Sequence, residues 1–202
     1  MSRSHCYCDK LTYKPQVNWF ERLLLKLIPH FDIIKTIVPT WEGHPCSPQT
    51  VLYLRRFYIW RSKWVGKNWG DLYLHKIYRS DDDKDPHTHP WNFRTWVLWG
   101  GYEDEAWMFD KAIGSDTSPA PYGRRRRVKH FDELLQMGNT RKRYRGHIHR
   151  VQLFGGPAWT LVWTTGYKYD KDGNGLWHFV TEDRLVPWRV YLGLTNNEEH
   201  GE

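Results

Sequence analysis

The residues of this chain with the clearest capacity for chemistry are two histidine pairs, His87-Thr88-His89 and His147-Ile148-His149. In extended backbone, successive side chains point to opposite faces, so each pair places two imidazoles on one face. Closely spaced neutral imidazoles are ligands for Fe, Ni, Cu and Zn. A single pair would also suit a loop making ordinary hydrogen bonds. The second pair favours a metal site, because such a site needs ligands converging from separate strands. Asp85-Pro86 leads into the first pair and Pro90-Trp91 follows it, and aromatic strand sequence comes next.

The elements that must hold these imidazoles read mostly as strands. Of 202 residues, 40% are hydrophobic and 16% aromatic, with 13 Trp and 12 Tyr. Aromatic and β-branched side chains fit a pleated, half-buried surface. Apolar residues Phe20, Leu23, Leu24, Leu27 and Ile28 recur at helical spacing, which predicts an amphipathic helix over 17–28, ended by Pro29. A second helical turn is expected over 30–37 and a Pro/Gly loop over 39–50. Strands are expected over 51–60, 71–78, 92–99, 102–109, 124–131, 147–154, 159–165, 177–181 and 187–192. Gly100-Gly101 would close a hairpin between 92–99 and 102–109, and 132–137 would form one helical turn. The chain thus divides into a helical and loop extension over 1–50, an all-β barrel over 51–192 and an acidic tail over 193–202. Many short strands at regular spacing indicate a sandwich or barrel.

The spacing His87-x-His89, four residues, position 94, six residues, then Gly101 resembles the first motif of the cupin superfamily: a histidine pair, an acidic ligand and a glycine. The runs Tyr73-Leu74-His75-Lys76-Ile77-Tyr78 and His149-Arg150-Val151-Gln152-Leu153 are similar to cupin-like proteins of bacteria and phages. So are Trp177-His178-Phe179 and Val186-Pro187-Trp188. The resemblance covers about residues 70–192 and implies a jelly-roll barrel; the amphipathic helix upstream is expected to pack on the outside of the barrel or at a subunit contact, with a membrane-surface helix as the alternative. The resemblance also implies one further histidine ligand from a later strand. His149 is that candidate, and His147, two residues back on the same face, is the runner-up. The departure is at position 94, where Arg94 stands in place of the acidic ligand. A cation cannot bind the metal, which leaves a three-histidine site of the kind found among cupin thiol dioxygenases. The resemblance therefore implies a mononuclear Fe(II) oxygenase acting on a small, anionic substrate, with Zn, Mn or Ni as other metals. Arg94 would anchor a substrate carboxylate or pair with Glu103 or Glu105 across the hairpin. Those glutamates could alternatively complete the metal site or act as general bases. A non-catalytic barrel binding a small ligand or nucleotide, and a Zn- or Mn-dependent isomerase or hydrolase, are the alternatives. Cupins often pair through strands, so a homodimer follows by analogy.

Other features bear on partners. Net charge is +7, concentrated in Arg124, Arg125, Arg126, Arg127 and Lys129 and in Arg141, Lys142, Arg143, Arg145 and Arg150. Arginine among aromatic residues can take phosphates and stack on bases, so nucleic acid or nucleotide is a candidate partner. A charged strand edge that blocks edge pairing is the plainer explanation. Cys6, Cys8, His44 and Cys46 could form a Cys₃His zinc clip, although Cys-x-Cys is tighter than usual ligand spacing. Three cysteines, an odd number, imply no disulfide framework. Asp170-x-Asp172-x-Asn174-Gly175 matches the start of a calcium loop, but position 181 is Thr181 and the segment reads better as a turn. Neither a P-loop nor a Rossmann fingerprint occurs. The N-terminus opens no apolar run like a secretion signal, and the apolar 17–38 stretch carries charges and Pro29, so no membrane span and a cytoplasmic location are expected.

Overall fold

Asn18 starts the first helix, α1 (Trp19–Leu27), its side chain accepting the amide of Glu21 at 2.8 Å; the helix gives way to extended backbone at Ile28, before Pro29. The structure, a computed structural model, describes residues 17–37, 40–41, 44–45, 49–62, 69–81, 85–109, 127–167, 177–181 and 184–191. Thirteen strands follow or flank that helix in chain order: β1 (His30–Ile37), β2 (Thr40–Trp41), β3 (His44–Pro45), β4 (Gln49–Trp60), β5 (Asp71–Ile77), β6 (Asn92–Trp99) and β7 (Gly101–Phe109). They continue as β8 (Arg127–Gln136), β9 (Thr140–Arg143), β10 (Ile148–Leu153), β11 (Ala158–Thr165), β12 (His178–Val180) and β13 (Leu185–Pro187), before a single turn of helix, α2 (Trp188–Tyr191).

All named pairings are antiparallel. One sheet has the order β1-β4-β5-β11-β6-β9, and the second contains β10-β7-β8 with the β12-β13 pair joined to it through His87. This all-β architecture with its N-terminal helix is consistent with a cupin-type jelly-roll barrel. Strand alternation sorts the side chains. Leu54, Ile77, Val97, Tyr102, Leu135, Val151 and Ala158 meet between the sheets as the inner core. Phe57 and Leu74 face the other way and receive Leu24 of α1.

Several elements differ from the sequence expectations. Residues 30–37 form β1, hydrogen-bonded along β4, because the edge of a sheet satisfies this stretch better than an isolated helical turn. The sheet therefore begins upstream of residue 51. Residues 132–137 fall largely within β8, paired to β7, so tertiary pairing again overrides local helix preference. The last expected strand stops at Pro187 and continues as α2. The 39–50 stretch holds the short β2-β3 pair and the start of β4. Most consequentially, β6 and β7 are not a hairpin. They lie in different sheets, and Gly100-Gly101 is the corner between them. Gly100 has φ +70°, and a Cβ there would sit 2.7 Å from the Pro157 carbonyl, so the corner needs glycine.

Helix α1 docks through a charge. Glu21 is fully buried and accepts from Arg55 Nη1 at 2.8 Å, Lys76 Nζ at 2.5 Å and the Tyr78 hydroxyl. Arg55 also forks onto Asp32 of β1 at 2.7 Å on both oxygens. Meanwhile Trp19, Leu23 and Leu27 remain exposed, so the expected apolar stripe is used only in part. Removing one member of a buried ionic group leaves the others uncompensated, at about 3–5 kcal/mol. Glu21→Ala is therefore expected to lose about that much stability in chemical denaturation, with Glu21→Gln losing less; an Ala variant within about 1 kcal/mol of wild type would show that the network does not hold the helix.

Candidate metal centre

The site begins with backbone hydrogen bonds. His87 behaves as a one-residue strand: its amide donates to the His149 carbonyl at 2.9 Å, and the His149 amide donates back at 3.0 Å. Residues that face each other in this way across an antiparallel pair carry side chains on the same face. The neighbouring amides of Thr88 and Val180 bond to His178 and Pro86, which fixes the segment between β10 and β12. His89, two residues on, returns to the same side as His87. The result is three imidazoles with ring centroids 4.9, 5.0 and 5.1 Å apart: His87–His89, His87–His149 and His89–His149. One ligand nitrogen from each lies within 4.8 Å of the others.

Asp104 orients the group. Its Oδ1 lies 2.7 Å from His149 Nδ1, and its Oδ2 accepts from Arg143 Nε and Nη2 at 3.0 and 2.6 Å. Burial alone would push this carboxyl up, but His149 and Arg143 outweigh it and hold it below the usual carboxylate range. An ionised Asp104 can only accept, so His149 Nδ1 carries the proton and Nε2 presents its lone pair to the centre. That Nε2 is 3.0 Å from His89 Nε2. His89 is held neutral, well below its ordinary value, first by burial and then by its neighbours His87 and His149. Without an ion, His89 can donate to His149 only by leaving its own buried Nδ1 without a partner.

These residues fit a metal ion. The donors are imidazole nitrogens, which suit borderline divalent ions. Two nitrogens 3.0 Å apart are spaced as two ligands at a right angle, each about 2.1 Å from a common ion. A carboxylate behind a ligating histidine is the usual way to fix its tautomer. His147 stands beside the group, 5.5 Å ring to ring from His149. Burial and then His149 lower it to about 4, its Nε2 is buried without a partner, and it lies within ligand distance of Asp104 and His149. Trp91, Phe93 and Trp177 ring the imidazoles. A cavity of about 340 Å³, lined by Thr88, His89, Phe109, Arg145, Ile148 and His178 among others, opens beside His89.

The other expected site residues lie elsewhere. Arg94 is exposed, on the face of β6 opposite the inward Phe93 and Thr95, with its guanidinium over Trp96. It neither reaches the imidazoles nor pairs with Glu103 or Glu105, because β6 and β7 are in separate sheets. Glu103 and Glu105 alternate with Tyr102 and Asp104 on β7 and so face away from the centre. Glu105 is bound to Arg150 at 2.6 Å and Lys129 at 3.2 Å. The residue the sequence reading missed is Asp104, the middle of three consecutive acidic residues. Only once the packing turns Tyr102 inward does Asp104, alone of the three, share that face.

Among the described residues, four cations of the basic stretch are paired with carboxylates of the same strands. Arg143 is buried between Asp104 and Glu133, Arg141 also meets Glu133, and Lys129 and Arg150 meet Glu105. Arg124, Arg125 and Arg126 lie outside the described residues, as do Cys6, Cys8 and Cys46 and the 170–175 segment; the side chains of Arg127 and His44 are likewise not described. Among the described residues no helix is long and apolar enough to cross a membrane.

No family model and no curated protein matches the chain. Among solved structures it is similar to iron(II) HppE (14% identity, 66% of this chain and 56% of that chain, TM-score 0.38). It is also similar to the DMSP lyase DddQ from Ruegeria pomeroyi DSS-3 (16%, 67% and 47%, 0.33). A third is the polyketide cyclase RemF from Streptomyces resistomycificus (18%, 55% and 64%, 0.36). The chain thus spans roughly half to two thirds of the length of these proteins. Likeness at this distance says nothing of chemistry.

The buried imidazoles make stability depend on pH. His75 and His89 are lowered well below 6.5, and His147 to about 4, each mainly by burial. Below pH 6.5 the unfolded chain takes up protons that the folded chain refuses. Stability is therefore full above that pH and falls as pH drops, by up to about 1.4 kcal/mol per unit for each group. The melting temperature of metal-free protein is expected to fall steadily from pH 7 to pH 5; a flat profile would show that these imidazoles are not held neutral.

Proposed function

We propose that His87, His89 and His149 hold one divalent metal ion, Fe(II) in preference to Zn, Mn or Ni, in a mononuclear non-haem oxygenase acting on a small molecule. The observation that carries this reading is the convergence of three imidazoles on one point, with Asp104 fixing the tautomer of one of them. Bound Fe(II) held by three neutral ligands would keep positions open for substrate and dioxygen, whereas Zn or Mn would serve as a Lewis acid. The chain's own residues do the rest. Asp104 keeps the proton on His149 Nδ1 and so keeps Nε2 available. Phe93, Trp91 and Trp177 pack around the imidazoles and limit water around them.

Elemental analysis of protein purified without chelator tests the reading. Near-stoichiometric Fe that is lost in His87→Ala and in His149→Ala is the expected result. Zn or Mn at that stoichiometry would favour an isomerase or hydrolase, and no metal even after reconstitution would leave a non-catalytic binding barrel. Asp104→Asn is expected to weaken metal affinity about 10–100-fold while retaining the fold; unchanged affinity would remove Asp104 from the site's design.

A further inference from the structure

The barrel interior contains a second cationic feature that the metal centre does not use. On β4, Leu54 joins the inner core while Arg55 and Phe57 turn toward α1. The alternation therefore sends Arg56 inward. Its Nε donates to His75 Nε2 at 3.0 Å, and its guanidinium lies over the Tyr73 ring, 4.8 Å from the centroid. His75 is kept neutral by burial first and by Arg56 second, so it acts as an acceptor and supplies no charge. Among the described residues no carboxylate meets Arg56, and its two terminal nitrogens have no acceptor. A half-buried arginine held on two sides, with its fork left open, is arranged to bind an anion.

Among the described residues, Asp71, Asp81 and Asp104 of this interior are committed elsewhere. Asp71 accepts from Arg61, Ser62 and Tyr73. Asp104 is bound to His149 and Arg143. Asp81 accepts from the Val151 amide and lies 3.8 Å from His87. Contacts also run from Arg56 to the imidazoles. Arg56 covers Tyr73, the Tyr73 hydroxyl lies 3.1 Å from that of Tyr167, Tyr167 packs on Trp91 at 5.0 Å, and Trp91 packs on His89 at 5.2 Å.

We infer that Arg56, oriented by His75 and Tyr73, is the anion-recognising residue of the barrel, and that the ligand is a small carboxylate, phosphonate or phosphate whose other end meets the three-histidine centre. This assignment rests on the metal reading for the second half of the ligand, since a divalent ion on neutral imidazoles would add positive charge to an interior that already holds an unpaired cation. It transfers to Arg56 the role that the sequence suggests for the outward-facing Arg94.

Isothermal titration of the full chain, metal-free and Co(II)-loaded, with acetate, methylphosphonate and inorganic phosphate tests it. The wild-type Co(II) protein should bind at least one of these anions. Arg56→Gln should weaken that binding about ten- to hundred-fold and leave Co(II) affinity unchanged; Arg56→Lys, which keeps the charge but not the fork, should fall between. Should Arg56→Gln not fold by circular dichroism, the Lys variant decides, and unchanged anion affinity in it overturns the assignment. The assignment also fails when wild type binds none of the anions, when Arg56→Gln binds them as wild type does, or when Arg145→Gln at the cavity mouth loses them while Arg56→Gln does not. Failure of the metal reading is distinguishable: wild type would then not bind Co(II), while Arg56-dependent binding of anion to the metal-free chain would still support the role of Arg56.

Discussion

Two backbone hydrogen bonds between His87 and His149 are the constraint on which the rest of the structure depends. They turn a single residue of an otherwise irregular segment into part of the second sheet, joining β10 on one side to β12 on the other. The same bonds set the geometry of the candidate metal centre, because they put two imidazoles side by side on the inner face and bring His89 with them. Position is thus set by main-chain pairing, which is rigid, and only the tautomer is left to side chains. Asp104 supplies that last element from a neighbouring strand.

Charge is distributed in this fold with little left uncommitted in the interior. Outside the barrel, Glu21 collects Arg55 and Lys76 and fastens α1 to the sheet. At the centre, Asp104 and Glu133 share Arg143, so the carboxylate that orients His149 is itself held in place. Each of these groups is buried or half-buried and matched, as low-dielectric surroundings require. Against that background Arg56 stands out, because its neighbours are a neutral imidazole and an aromatic face rather than an anion. The chain's excess positive charge is therefore not only a surface property; part of it is directed inward, onto His75 and Tyr73.

The sequence by itself determined most of the strands and which histidines share a face. Aromatic and β-branched runs specified β4, β5, β6, β7, β10 and β11 to within a residue or two, and the i, i+2 spacing put His87 with His89 and His147 with His149. Those are local properties, fixed by strand periodicity. The partners of each strand were decided only by the tertiary structure. Gly100-Gly101 reads as a hairpin turn in either arrangement, yet the chain uses it to pass between sheets, which removes Arg94 from Glu103 and Glu105. Residues 30–37 and 132–137 have mixed local preference, and only an available sheet neighbour made them strands. Asp104 and Arg56 were not distinguishable from adjacent like charges, since a one-residue change of phase exchanges the inner and outer faces of a strand. That phase is set by long-range pairing and by the packing of the inner core, neither of which local composition encodes.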